Sequence, residues 1–418
     1  MNRLSRPMLL AHLEEQAFAA PLVGAPNSRR IGAEVELIPV DAATGRPCLL
    51  ENGPGPAVLP FLRRFGARQG WVEQRTAKGV VCFAVATGGS VSFEPGGQIE
   101  YASSPSRSAT TLINRLRDVV LPLRAAAAAE GISLLTVGID PRNPVEQVAL
   151  QLSCDRYTRM AAHFARIGPS GARMMRQTAA FQISVDFEDQ PLERWRLLNC
   201  LAPFVTAIFA NSPMYAGEDT GHRSFRAHCW RMLDLQRTGL PYDPQRPIEA
   251  YLEFALAAPA ILLPTVGGRC APFDYWLSRA NPSLDEWETH LTTLFPDVRP
   301  RGHLELRSMD AVDPAGYPAA LAMVAGLVYQ PDARREALDL LPAPDLGLLE
   351  RAGRLGLTDP ELARTASDLF QLALTGCAAL GTKFLHPAHL EEARAYFDHY
   401  TRLGRSPADE FEACAVAA

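Results

Sequence analysis

Phe93-Glu94-Pro95-Gly96-Gly97-Gln98-Ile99-Glu100 sets two carboxylates on either side of a Pro-Gly-Gly turn. Before the turn Val91 and Phe93 alternate with Ser92 and Glu94; after it Gln98 and Glu100 alternate with Ile99 and Tyr101. A period of two predicts half-buried strands with one apolar and one acidic face. Pro95 fixes the entry to the turn, and the two glycines are expected to allow positive φ or the close approach of a bulky group. Acids beside a bare glycine backbone suit a metal-bound phosphate.

Three further stretches repeat the alternation. In Ile31 to Ile38, Glu34 and Glu36 leave one face between small and apolar residues. In Thr178 to Phe187, Phe181, Ile183, Val185 and Phe187 share a face, opposite Gln182, Ser184 and Asp186. His303 to Arg307 reads as a strand with His303, Glu305 and Arg307 on one side. Each strand alone reads as a solvated sheet face. Together they gather acids and their partners on strands whose other face is apolar, and lysine is absent from all four. A face that collects cations has this composition. Magnesium takes octahedral oxygen ligands and is bound by carboxylates together with substrate phosphates, and five glutamates suffice for two or more such ions.

Between these strands the chain predicts a helix from Met8 to Phe18 ended by Gly24 to Ser28, a short helix at Val58 to Phe65, a hairpin turning at Gly88-Gly89, and a long helix over 107–130 followed by a strand at Ile132 to Ile139. Gly168-Pro169-Ser170-Gly171 reads as a turn, Pro191 to Phe209 as a helix, and Phe225 to Leu233 as a further helix or long turn. After Pro314 the pattern is helical almost to the end. Neither a strict βαβ rhythm nor an internal repeat occurs, so the expected class is α+β with a largely antiparallel sheet, its concave face lined by the carboxylates and flanked by helices. One catalytic domain over 1–418 is expected, with the site within 1–312 and a helical segment over 313–418.

Composition narrows the partners. A formal charge of -5 and the lack of a basic run argue against a nucleic-acid surface, and no apolar span is long enough to cross a membrane. Met1 to Pro21 mixes charges into its apolar residues and lacks a signal-peptide core. The eight cysteines are scattered, which points to neither a zinc cluster nor a disulfide framework and makes a reducing cytoplasm the expected location. Gly376 to Lys383 has phosphate-loop glycine spacing but the wrong Thr-Lys order, and it follows a helix. Cys82 and His303 read as a packed cysteine and a strand histidine rather than a nucleophile pair.

The motifs GAEVEL (Gly32 to Leu37), EPGGQIE (Glu94 to Glu100), DRYTRM (Asp155 to Met160), MMRQTAAFQISVDF (Met174 to Phe187), FANSPMYAG (Phe209 to Gly217), SFRAHCW (Ser224 to Trp230), LDLQRTG (Leu233 to Gly239) and HLTTLFPDVRPRGHLELRSMDA (His290 to Ala311) stand in this order. In wording, order and spacing the chain resembles the plant-type glutamate-cysteine ligases, including the branch that serves ergothioneine synthesis, toward which VRPRGHLELR leans. The resemblance implies a glutamine synthetase/guanido kinase-like catalytic fold and an ATP-dependent ligase that phosphorylates the γ-carboxylate of L-glutamate and lets the amine of L-cysteine displace phosphate. It implies Mg²⁺ held by Glu34, Glu36, Glu94, Glu100 and Glu305, with Gln182 and Ser184 nearby. Arg307 is then expected at the transferred phosphoryl group, and Arg226 and, more weakly, Arg176 at substrate carboxylates. Ser184 stands where relatives usually carry asparagine, Phe181 replaces a smaller residue, and Arg307-Ser308-Met309-Asp310 replaces Arg-Gly-Ala-Asp. These departures leave the amine acceptor open, with a ligase for another small amine and a catalytically silent nucleotide- or amino-acid-binding relative as alternatives. The sequence does not specify an oligomeric state.

Overall fold

Strand β1 (Ile31–Asp41) is the axis of the molecule: its first half pairs with one strand on either side, and its second half with a third. The other strands are β2 (Val72–Arg75), β3 (Val81–Ala84), β4 (Ser90–Phe93), β5 (Ile99–Ala102), β6 (Ile132–Leu135), β7 (Ala180–Val185), β8 (Met214–Tyr215), β9 (Glu218–Asp219), β10 (Val298–Pro300) and β11 (Leu304–Asp310). The computed structural model describes residues 3–19, 29–76, 79–188 and 190–415. Among these, nine strands form one sheet in the order β10-β11-β7-β1-β5-β4-β3-β2, with β6 on the far half of β1; β8 and β9 make a separate two-stranded ribbon. Every pairing of named strands is antiparallel, so the architecture is mixed helix and antiparallel sheet.

Residues directly opposite in an antiparallel pair project to the same face, and the register therefore sorts the side chains. Val35 faces Tyr101 and Phe181, Leu37 faces Ile99, Val91 faces Tyr101, and Ile183 faces Leu306. All are buried in one apolar cluster with Leu112, Leu116, Val120 and Leu123 of the Ala109–Ala129 helix and with Tyr317, Leu321 and Val324 of the Tyr317–Tyr329 helix. The same cluster takes in Leu369, Phe370 and Phe397, so the helices after residue 313 share the core beneath the sheet. That burial holds the register in place: a slip by one residue would turn the acids into the core.

Several sequence expectations need correction. Pro169 opens the helix Pro169–Gln177 instead of sitting in a turn, because a proline in the first helical turn gives up an N–H that has no partner there. His303 lies in the bend before β11, after Gly302 at φ +71°. Strand β2 and the helices Pro247–Ala257 and Phe273–Arg279 were not anticipated; β2 is an exposed edge with no apolar alternation to announce it. The expected break at Gly24 to Ser28 lies outside the described residues. Gly376 to Lys383 is the end of the Pro360–Leu380 helix, capped by Gly381 at φ +88°. No helix among the described residues is long and apolar enough to cross a membrane.

Candidate active site

The face opposite the core carries the polar rungs. Ser92 is opposite Glu100 and Glu100 opposite Glu36; Glu34 is opposite Gln182; Ser184 is opposite Glu305, and Glu305 opposite Arg299. A register shift between Leu306 and Met309 interrupts β11 beside β7, and such a bulge re-aims the side chains within it. Arg307 falls in that bulge, close enough to Glu305, Glu34 and Glu36 for each to favour its charge.

Four of the acids lack an arginine within ion-pair distance. Glu36 is held by neutral donors: the Ala180 N–H donates to Oε2 at 2.7 Å and Gln182 Nε2 to Oε1 at 3.0 Å. Ser92 Oγ donates to Glu100 Oε1 at 3.2 Å. Burial, first, and then the neighbouring glutamates raise the pKa of Glu94 to about 8 and that of Glu100 well above the ordinary value. Glu34 is raised by burial and by Glu305, against the pull of Arg307, Arg299 and Arg301; Glu36 is raised by burial, against the pull of Arg226. Buried like charges strand by strand raise pKa values in this way when no cation compensates them.

Glu305 has the opposite surroundings. Arg299 Nε donates to it at 2.7 Å and Arg301 Nη1 at 2.9 Å, and Arg307 Nη1 and His303 Nε2 each stand 3.6 Å away. Burial raises its pKa, but the arginines and His303 outweigh burial and hold the carboxyl well below the usual range. Arg307, buried and repelled by Arg299, is lowered to about 10 despite its acidic neighbours.

Gln182 Oε1, Arg226 Nε and Ser308 Oγ are among the buried polar atoms around this face that have no hydrogen-bond partner. Arg226 Nη2 donates to the Arg307 carbonyl at 3.0 Å, so the two arginines are tied together. Both line a small cleft with Trp230, Phe295, Asp297 and Ser308. A cavity of about 360 Å³ opens beside Glu34, Ser184, Arg301, His303 and Glu305.

The Pro-Gly-Gly turn is covered by protein. A Cβ on Gly96 would meet the Arg176 carbonyl oxygen at 2.0 Å, and one on Gly97, at φ +91°, would meet Gln151 Nε2 at 2.5 Å. Gln151 donates to the Gly96 carbonyl at 2.6 Å, while Gln98 accepts from the Gly96 N–H at 3.0 Å and donates to the Thr178 carbonyl at 2.9 Å. The close approach anticipated for a phosphate is made by the end of the Pro169–Gln177 helix. Arg176 meets the turn through its backbone; its guanidinium lies near Glu146 and Tyr215, apart from the acids.

Phe181 is fully buried on the core face, stacked on Tyr317 at 5.1 Å between ring centroids, and does not line the site. Sequence reasoning passed over Arg299 and Arg301, although both stand at alternate positions just before Glu305. It also passed over Arg156, which acts electrostatically on Glu94 and donates to Thr292, and Asp310. The Asp310 carboxylate accepts from the Asn211 N–H, Ser212 Oγ and Ser224 Oγ at 2.8, 2.7 and 2.8 Å, pinning the start of the Phe225–Arg231 helix that carries Arg226.

A family model described as glutamate-cysteine ligase family 2 matches residues 30–416. The chain is 34% identical over 346 residues to the glutamate–cysteine ligase EgtA of Mycolicibacterium smegmatis, covering 79% of each chain. It is 28% identical over 428 residues to the chloroplastic glutamate–cysteine ligase of Arabidopsis thaliana, covering 94% of this chain and 78% of the relative. Among solved structures, glutamate–cysteine ligase (gshA) of Francisella tularensis in complex with AMP superposes with a TM-score of 0.52 at 13% identity. The match covers 91% of this chain and 83% of that one, a likeness of fold.

Proposed function

The chain belongs to glutamate-cysteine ligase family 2, and on that premise we propose that its acidic rungs hold divalent cations on the phosphates of ATP while its arginines hold the anions of the reaction. The activity is ATP-dependent formation of γ-glutamylcysteine. Transfer of the γ-phosphoryl group to the γ-carboxylate of L-glutamate gives γ-glutamyl phosphate and ADP. Attack of the L-cysteine amine on the acyl carbon then forms the amide bond and expels phosphate. Both biosynthetic branches of the family make this product, so the chemistry of the site is the same for either.

The observation that carries the assignment is a group of glutamates, Glu36 buried and the others partly so, with no arginine within ion-pair distance: Glu36 and Glu100 share a rung, Glu34 stands on the next, and Glu94 directly follows β4. Glu34, Glu36, Glu94 and Glu100, with the unpartnered Gln182 Oε1, form an all-oxygen donor set, which fits a hard cation such as Mg²⁺ and no soft one. Bound there, Mg²⁺ neutralises charge on the phosphates and on the group in transfer. Glu305 joins this set from the arginine side, where it keeps Arg299, Arg301 and Arg307 together. Arg307 is aimed by the β11 bulge at the transferred phosphoryl group. Arg226, anchored through Nη2 and with Nε free of protein partners, grips a substrate carboxylate. Arg176 shapes the turn that presents Glu94. Catalysis rests on position and charge, without a covalent enzyme intermediate.

The acceptor is tested by ADP release with L-glutamate, ATP and a panel of amines, with products identified by mass. L-Cysteine is expected to be preferred. Preference for another amine would leave the ligase chemistry standing and replace the named acceptor; no ADP release with any amine would remove both. Phe181, packed in the core, gives no ground for a changed acceptor, and Ser184 alone of the two lines the cavity.

A further inference from the structure

Away from the acidic face, the loop after β9, the Phe225–Arg231 helix and the Leu346–Leu355 helix bring His222, His228 and Glu350 together. A ring nitrogen from each histidine and a carboxylate oxygen of Glu350 all lie within 4.8 Å of one another. We propose that these three side chains form a second metal site, for a divalent transition ion of zinc's type, distinct from the oxygen-rich site that faces the phosphates.

The ring chemistry carries the proposal. His222 Nδ1 stands 3.0 Å from the Thr220 carbonyl oxygen, and a carbonyl only accepts, so Nδ1 carries the proton and Nε2 keeps its lone pair. A metal-binding histidine is oriented in just this way, its other nitrogen donating to a backbone carbonyl. His228 Nδ1 is buried without a hydrogen-bond partner, 3.8 Å from Glu350 Oε1. That separation is too long for a hydrogen bond and suits two ligands around one ion, whose bonds to nitrogen and oxygen run to about 2.0–2.2 Å. The two rings lie 4.3 Å apart between centroids.

The framework under the three ligands is rigid. The Ser224 N–H donates to the Gly353 carbonyl at 2.8 Å and the Arg223 N–H to the Arg354 carbonyl at 3.1 Å. A Cβ on Gly353 would lie 3.2 Å from that of Ala227. The two helices therefore meet backbone to backbone next to the ligands, as a preformed site requires. Two imidazoles and one carboxylate, with Glu350 still partly open to solvent, leave a coordination position for water. Such a set selects zinc, nickel or copper over magnesium. Arg173, whose guanidinium lies over the Tyr215 and Phe225 rings, is a nearby cation and sets a moderate affinity. Arg226 lies two residues before His228 and donates to the Arg307 carbonyl, so an ion here clamps the helix that presents a substrate-binding arginine.

The test is isothermal titration of Zn²⁺ into the untagged full-length chain with Mg²⁺ in excess, alongside Co²⁺ absorption spectra. One zinc site is expected in the wild type and in Glu94→Gln. Its affinity should fall by at least ~10–100-fold in His222→Ala, in His228→Ala and in Glu350→Gln, the range seen even for outer partners of a metal. The last of these alters a half-exposed side chain and leaves the core intact. Zinc should also raise the melting temperature of the wild type and not of His228→Ala. Equal binding by wild type and the His222→Ala/His228→Ala double variant would overturn the proposal. So would loss of the zinc site in Glu94→Gln, which would place the ion among the acids of the sheet.

Discussion

Glu94, directly after β4, and Glu305 of β11 are carboxylates of the same acidic site, yet their pKa values are displaced in opposite directions. Glu94 has buried acids for neighbours and is raised to about 8; Glu305 sits among Arg299, Arg301, Arg307 and His303 and is held well below the ordinary range. The glutamate half of the face has no arginine within ion-pair distance of its carboxylates, while Glu305 has two arginines at hydrogen-bond distance and a third at 3.6 Å. In the proposed function, a nucleoside triphosphate with its metal ions would satisfy both halves at once, the cations completing the glutamates and the phosphates the arginines. Such a contrast of charge within one face is what the proposed pair of ligands, metal cation and phosphate, would require.

The largest expected effect tests both halves together. Glu94→Gln and Glu305→Gln should each cut ATP turnover with L-glutamate and L-cysteine by about 2–4 kcal/mol in barrier, or roughly 30- to 1000-fold, as deletion of a preorganised electrostatic group does. Steady-state ADP release measures this, and near wild-type turnover in either variant would detach that carboxylate from the reaction.

Stability should then separate the halves. Arg299→Met removes the strongest partner of Glu305 and leaves a buried carboxylate short of a donor, at a cost of roughly 1–3 kcal/mol in chemical denaturation, softened by Arg301 and Arg307. Glu94→Gln should do the reverse in the metal-free protein, raising the melting point at pH 8 by roughly 1 °C for each ~1 kcal/mol gained in a domain of this size. Equal signs for the two variants would break the comparison.

The pH dependence follows from the same shifts. Glu94 is raised from 4.5 to about 8, so over that window the folded chain keeps a proton that the unfolded chain releases. Its contribution is complete below pH 4.5 and is lost as pH rises toward 8. Glu305 contributes with the opposite sign: its stabilisation is present above the ordinary glutamate range and lost on acidification below it. Melting of metal-free protein across pH should fall over the neutral limb in the wild type and flatten there in Glu94→Gln. The smallest effect is reserved for Ser184→Asn, a change of an uncharged pocket-lining residue that stands opposite Glu305. It should leave ATP turnover within about tenfold and act on KM for the amine, the modest scale of pocket discrimination.

Alternation made the polar face legible in the sequence. Glu34, Glu36, Gln182, Ser184 and Glu305 each stood opposite an apolar run, and the pairing of β1 with β5 and β7 assembles them from strands far apart in the chain. What escaped was set by tertiary approach. Nothing local announces that Gly96 is packed under the Arg176 carbonyl, so its glycine was read as room for a ligand. Asp310 gathers donors that lie between 86 and 99 residues away, beyond the reach of any periodicity. Phe181 was near the site only in sequence, since consecutive strand residues leave opposite faces. Arg299 and Arg301 were legible in principle, because they alternate just before the turn into Glu305.

In the proposed site, protons on the glutamate half stand in for divalent cations. Titration of Mn²⁺ into the chain at pH 7, in two buffers of different ionisation enthalpy, counts the protons released on binding. Release should be evident in the wild type and reduced in Glu94→Gln, because a metal must displace the protons that burial and the neighbouring acids keep in place. Binding of Mn²⁺ with no proton release, or with release unchanged in Glu94→Gln, would contradict it.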